Sequence, residues 1–303
     1  MKDFLFNISR LVRQTYKEWK SDHASQLAAA LAYYTVFSLA PLLVIAMAVA
    51  GFFWEQSAVE EQVLTQIRGL VGADGADFIA DLIRNASNPA EGFLATIFGI
   101  VTLLVGALGV FIELQNALNI IWNVQERKTK GFLDTIKEIA IDRFLSFAMI
   151  LVIGFLLLVS LLLSAILTAA QQMFTNVFAA PEFVLEIINF IVSIGAITLL
   201  FALIYKFLPD VEISWGDVWM GAFVTSILFT LGKTAIGIYL GNSVITSSFG
   251  AAGALVVILV WIYYSAQILF FGAEFTQVYA KTYGTKIRTE GKEYSVPPKI
   301  VEP

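Results

Sequence analysis

Apolar runs of eighteen or more residues recur along the whole chain, separated by shorter polar segments. A run of this length is what an α-helix needs to cross about 30 Å of hydrocarbon at about 1.5 Å per residue. The runs are too long and too uniformly apolar for the alternating strands of an outer-membrane barrel. The pattern therefore predicts an all-α, polytopic membrane bundle with six spans, at 25–53, 92–122, 143–171, 184–208, 217–241 and 250–280.

The composition agrees with a membrane environment. Hydrophobic residues make up 58% of the 303 positions and charged residues 14%, whereas a soluble domain has about 25% charged residues. Cysteine is absent, which excludes a disulfide framework, a thiol nucleophile and a cysteine metal site.

The segments outside the spans also carry helical patterns. Residues 1–24 predict an amphipathic helix at the membrane surface, which acts either as a simple anchor or as a specific site for anionic lipid. Its apolar positions are Phe4, Ile8, Leu11, Val12, Tyr16 and Trp19, and roughly opposite them lie Arg10, Arg13, Lys17 and Lys20. The loop 54–91 predicts two short helices, starting near Ser57 and near Asp74. The transmembrane domain is then 25–280, followed by a short tail, 281–303.

The distribution of Lys and Arg predicts the orientation. Basic residues cluster before the first span, between the second and third spans, and after the sixth. The opposite side carries only Arg68 and Arg84, so the positive-inside rule places both termini in the cytoplasm and the loop 54–91 outside.

One lysine lies deep in an apolar run, in the stretch FTLGKTAIGIYLG. An ammonium group at the bilayer centre costs about 2.5–3.5 kcal/mol on insertion scales. Lys233 is therefore held by carbonyls and hydroxyls at a helix interface, or it faces a polar cavity that receives an anionic group. Its depth argues against direct pairing with Glu113 or Glu274, which are nearer the cytoplasmic ends of their spans and can form structural ion pairs there.

Further polar residues on four spans are candidates for such a cavity. They are Tyr33 and Tyr34 on the first span, Glu113, Asn116 and Asn119 on the second, Thr230 with Lys233 on the fifth, and Gln267 and Glu274 on the sixth. Small residues predict close helix packing, namely Gly106 and Gly109 on the second span and the G-x-x-x-G pair Gly237 and Gly241 on the fifth.

Three blocks of sequence together resemble the YihY/virulence factor BrkB family of bacterial inner-membrane proteins. They are AAALAYYTVFSLAPLLVIA from Ala28, GVFIELQNALNIIW from Gly109, and GAAGALVVILVWIYYSAQILFFGAEFTQVYA from Gly250. The resemblance implies six transmembrane helices and a bacterial cytoplasmic membrane. Members of that family have been labelled ribonuclease BN-like, linked to virulence and serum resistance, and proposed as transporters, including of lipids.

The residue inventory argues against the nuclease label. A metal-dependent phosphodiesterase needs clustered His and Asp ligands, yet His23 is the only histidine and no catalytic or phosphate-binding motif is present. We therefore predict a protein without enzymatic activity, cofactor, metal or nucleic-acid partner. Two functions remain: a transporter or flippase-like protein for a lipid or other anionic amphipath, and a non-transporting membrane scaffold or envelope-integrity factor. Both predict membrane lipids as partners.

Overall fold

The computed structural model describes residues 2–50, 56–87, 108–124, 182–241 and 251–284, which are almost entirely α-helical. The helices are α1 (Lys2–Ser21), α2 (Ala24–Ala50), α3 (Gln56–Ser87), α4 (Leu108–Ile121), α5 (Glu182–Phe207), α6 (Trp215–Gly241) and α7 (Ala251–Tyr283). The predicted all-α fold class is thereby confirmed for the described residues.

Four of these helices are long and apolar enough to cross a membrane. They contain the segments Ala24–Ile45, Phe190–Phe207, Trp215–Gly237 and Gly253–Tyr283. The second predicted span is represented by α4, which is apolar but short over its described length. The third predicted span, 143–171, lies outside the described residues. The number six therefore stays a prediction.

The α1–α2 turn folds the N-terminal helix back onto the bundle. His23 adopts a left-handed conformation with φ of 54°, and its carbonyl accepts hydrogen bonds from the amides of Gln26 and Leu27 at the start of α2. Because of this reversal, α1 packs against α7 and α2. Its placement at a membrane surface remains a prediction.

The predicted pair of helices in the loop 54–91 is present as the two halves of α3. The break falls at Gly72, whose φ of 82° suits a residue without a Cβ. The apolar sides of both halves, including Ile67, Ile79 and Ile83, pack in one cluster with α2 and α7. That contact buries apolar surface of all three helices, and α3 is thereby attached to the bundle along its length.

The bundle is ordered around α7, which contacts α1, α2, α3 and α6, while α5 packs mainly on α6 and reaches α7 through Tyr205. Glycines permit the close contact of α6 with α7. A Cβ at Gly221 would lie less than 3.0 Å from side-chain atoms of Thr276, and one at Gly272 would collide in the same way with Thr225 and Tyr205.

The sequence predicted close packing at Gly106, Gly109, Gly237 and Gly241, and the structure gives the surroundings of Gly109 and Gly237. A Cβ at Gly237 would meet no atom within 4 Å, so this position makes no close contact with a neighbouring helix. Gly109 does approach α2, with the Ser38 hydroxyl 3.5 Å from an added Cβ. Gly241 is the last residue of α6, and Gly106 lies outside the described residues.

Candidate functional site

Polar side chains converge at the end of the bundle that carries the α5–α6 turn, 208–214, which we call the turn end. Pro209 stops α5 because it cannot donate a backbone hydrogen bond to continue a helix. Asp210 follows it, and its carboxylate accepts hydrogen bonds from Asn119 Nδ2 at 2.8 Å and from Gln115 Nε2 at 3.3 Å. The Asp210 amide donates to Asn119 Oδ1 at 2.8 Å. We call these three bonds the Asp210 clamp.

The Asp210 clamp joins two segments that are far apart in sequence. Gln115 and Asn119 lie four residues apart on α4, so both side chains point to one side of that helix and reach the turn together. Asn119, a predicted cavity residue, uses its side chain here. The sequence did not point to Asp210, because an acidic residue next to a proline in a loop is usually exposed to solvent. The available signal was the spacing of Gln115 and Asn119, whose side-chain amides on one side of a helix need a common acceptor.

The Asp210 clamp should contribute measurably to stability. Asn119→Ala and Asp210→Ala are each expected to lower the free energy of unfolding by about 1–3 kcal/mol, because each leaves polar partners without their hydrogen bonds. The loss in the double variant should be smaller than the sum of the two single losses. Thermal or denaturant unfolding in detergent measures all three, and the exposed neighbour Asn116→Ala is the control. Strictly additive losses would show that the two residues act separately.

The end of α7 is also polar and buried at the turn end. Gln277 donates its side-chain amide to the carbonyl of Ile121 at the end of α4. Glu274, one turn earlier, is 0% exposed. These contacts place the predicted cavity residue Glu274 within the packed helix interface at the turn end.

The register of α6 and α7 separates Glu274 from Lys233. Gly221 faces Thr276 and Gly272 faces Thr225, so the two helices are antiparallel and Glu274 lies level with the first turns of α6. Lys233 is about ten residues, or about 15 Å, further along α6. The separation agrees with the prediction that these two side chains do not pair.

Exposed aromatic residues surround the turn end. Phe207, Trp215 and Trp219 are between 43% and 55% exposed, and Lys206 Nζ lies 5.8 Å from the ring centroid of Trp215 while donating to the Ile213 carbonyl at 2.7 Å. Amphipathic rings of this kind are enriched where a membrane meets water. They indicate that the turn end lies at one membrane surface, and Lys233 lies about 27 Å from Trp215 along α6.

Buried hydroxyl groups connect α5, α6 and α7 between these two levels. The Tyr205 hydroxyl donates to the Leu269 carbonyl at 2.8 Å and lies 3.1 Å from Thr225 Oγ1, and Thr198 Oγ1 donates to Ser226 Oγ at 2.8 Å. All four side chains are at least nine-tenths buried. Their polar atoms have partners, so they serve helix packing.

Lys233 itself is exposed on a face of α6 that is buried elsewhere. Ser226 and Phe229, seven and four residues earlier, and Ile236, three residues later, share its side of the helix. Ser226 and Ile236 are buried, and Phe229 packs against the core. Lys233 is exposed between them, so the described residues leave the surface around it uncovered, and we call this surface the opening.

A second hydrogen-bond donor lies near this opening. The Trp261 ring on α7 contacts the Phe229 ring edge-on, with centroids 6.1 Å apart. Its indole N–H is buried and finds no acceptor among the residues that the structure describes. Both side chains can donate hydrogen bonds and cannot accept them, and the exposed ammonium group of Lys233 would suit an anion.

The other predicted cavity residues do not gather around Lys233. Tyr33 and Tyr34 are exposed on α2, and the Tyr34 ring lies beside Gly109. The Thr230 hydroxyl donates to the Ser226 carbonyl within α6. Gln267 lies beside Tyr16 and Trp19 of α1. Glu113 on α4 is half-buried and Asn116 is exposed. The predicted set is therefore distributed over several helix faces.

Comparison with known proteins gives consistent matches over most of the chain. The family profile described as Virulence factor BrkB matches residues 15–296. A UPF0761 membrane protein of Ralstonia nicotianae is 28% identical over 269 residues, which are 87% of this chain and 57% of that protein. A UPF0761 membrane protein of Alteromonas mediterranea is 26% identical over 289 residues, which are 91% of each chain.

Other relatives are longer than this chain. A UPF0761 membrane protein of Alkalilimnicola ehrlichii is 27% identical over 279 residues, which are 91% of this chain and 59% of that protein. The chain thus spans just under three fifths of the length of the Ralstonia and Alkalilimnicola relatives. No solved structure matches. Because the family profile covers nearly the full sequence, the chain belongs to the virulence factor BrkB family.

Proposed function

We propose that this protein is a transporter or flippase-like protein that moves a lipid or another anionic amphipath past Lys233, in the bacterial cytoplasmic membrane with both termini in the cytoplasm. The observation that carries the proposal is the exposure of Lys233 on the bundle side of α6. A charged residue within a membrane span is costly, and such residues generally face the bundle interior or a water-filled cavity and mark a path for substrates or ions.

The chemistry of the opening supports an anionic substrate. The ammonium group of Lys233 attracts negative charge and can donate hydrogen bonds to an oxygen acceptor. The surrounding rings of Phe229 and Trp261 are apolar and suit an acyl chain. A molecule with an anionic head and an apolar tail satisfies both parts of this surface. In this proposal no bond of the substrate is broken, and the protein needs no catalytic residue.

A scaffold function is the second candidate, and the turn end favours it. The Asp210 clamp and the bond from Gln277 to Ile121 connect α4 to the α5–α6 turn and to α7. A protein that only organises partners needs such a rigid end, and it needs no water-accessible opening at Lys233.

Water accessibility distinguishes the two functions. The chain has no cysteine, so single-cysteine variants report one position each. Lys233→Cys is expected to react with a membrane-impermeant thiol reagent in proteoliposomes. Leu231→Cys should not react, because Leu231 is 65% exposed on the opposite, lipid-facing side of α6 at almost the same depth. Equal protection of both cysteines would exclude a water-filled path at Lys233 and favour the scaffold.

A further inference from the structure

A groove of about 330 Å³ lies between α1, α6 and α7. Its walls include Tyr16, Trp19, Leu228, Tyr264, Gln267 and Phe271. Apart from the Gln267 amide, the hydroxyls of Tyr16 and Tyr264 and the indole N–H of Trp19, the side chains of the groove are apolar. Because α6 and α7 are candidate membrane spans, the groove between them opens toward lipid. An apolar chain is therefore its natural occupant.

The side of α1 next to the groove changes from apolar to basic around the helix. Thr15 is 0% and Glu18 is 9% exposed, which shows that this side of α1 packs on the bundle. Trp19 and Tyr16 follow around the helix and line the groove, and Tyr16 is 56% exposed. Arg13 and Lys20 come next at 100° per residue, and both are exposed. Positive charge therefore borders the exposed edge of the groove.

We propose that this groove binds an anionic phospholipid, with an acyl chain between α6 and α7 and the phosphate at Arg13 and Lys20. Basic side chains next to a membrane attract anionic headgroups, and the apolar side of an interfacial helix lies at the boundary between headgroups and acyl chains.

This site is separate from the opening at Lys233. Leu228 lies about 140° away from Lys233 around α6, since the two residues are five positions apart. The groove therefore belongs to another face of the helix. The lipid in it is a resident ligand that holds α1 to the bundle, and its binding does not depend on transport.

The test is the retention of lipid by the purified full-length chain, measured by native mass spectrometry after incubation with phosphatidylglycerol or with phosphatidylcholine of the same acyl chains. One phosphatidylglycerol is expected to stay bound per chain in preference to phosphatidylcholine. The double variant Arg13→Gln/Lys20→Gln should weaken binding of phosphatidylglycerol by about 30-fold. Its matched control is Arg68→Gln/Arg84→Gln, which removes the same charge from exposed positions of α3 and should leave binding unchanged.

A second variant distinguishes lipid binding in the groove from a general electrostatic attraction between α1 and anionic lipid. Leu228→Trp fills the groove and keeps every charge, and it should lower retention as strongly as the charge variant does. If Leu228→Trp does not purify as a monodisperse protein, Gln267→Trp is the alternative variant that fills the groove without changing its charge. Equal retention of the two lipids, or loss in the charge variant alone, would overturn the proposal. The proposal would also be overturned if the purified protein were a dimer without lipid and Leu228→Trp dissociated that dimer. A second copy of the chain would then occupy the groove.

Discussion

Lys233→Met is expected to slow the exchange of anionic lipid in proteoliposomes by about 10- to 100-fold while leaving the melting temperature unchanged. Hydrogen bonds that involve a charged group contribute about 1.5–3 kcal/mol, and this range corresponds to the stated factor. Methionine keeps the length and the apolar stem of the side chain and removes the ammonium group. Because Lys233 is exposed in the described structure, its replacement should remove no helix contact.

The control for this experiment is Leu231→Met, which changes a lipid-facing side chain two residues away and should have no effect on exchange. Lipid exchange and thermal unfolding must be measured on the same preparations. Undiminished exchange by a folded Lys233→Met protein would remove Lys233 from the mechanism. A fall in both exchange and melting temperature would show that the lysine holds helices together, which is the structural alternative that the sequence left open.

Gly221→Leu is expected to destabilise the bundle by about 1–3 kcal/mol or to prevent its assembly. The added side chain would overlap Thr276 on α7, and overpacking of a close contact forces the two helices apart. Thermal unfolding in detergent, together with size-exclusion chromatography, measures the stability and the homogeneity of the variant.

The matched control is Gly237→Leu on the same helix, where a Cβ would meet nothing within 4 Å. Both substitutions add the same side chain to α6, so helix propensity changes equally and packing alone differs. Equal melting temperatures for the two variants would contradict the α6–α7 contact described above. A larger loss at Gly237 would restore the G-x-x-x-G pair as the packing motif of this helix.

The sequence determined which segments are helices. The apolar runs predicted α2, α5, α6 and α7 with ends within a few residues of those observed, because run length is a local property that hydrocarbon thickness sets directly. The break in α3 was also readable, since the predicted second helix began near Asp74 and the left-handed residue is Gly72. The family was recognisable from three long collinear blocks for the same reason.

Only the tertiary structure decided which helix faces meet. Gly221 and Gly272 are packed while Gly237 is open, although all three are glycines within apolar helices. Asn119 binds Asp210, 91 residues away, and Gln267 lies beside α1 instead of near Lys233. The physical reason is that an α-helix repeats every 3.6 residues. A small rotation of one helix against its neighbour, or a shift by one turn, therefore brings other residues into contact, while the amount of buried apolar surface changes little. In a membrane, any apolar face of a helix can be exposed to lipid at little cost in free energy. Which face of the helix packs in the bundle therefore depends on contacts between segments that are distant in sequence.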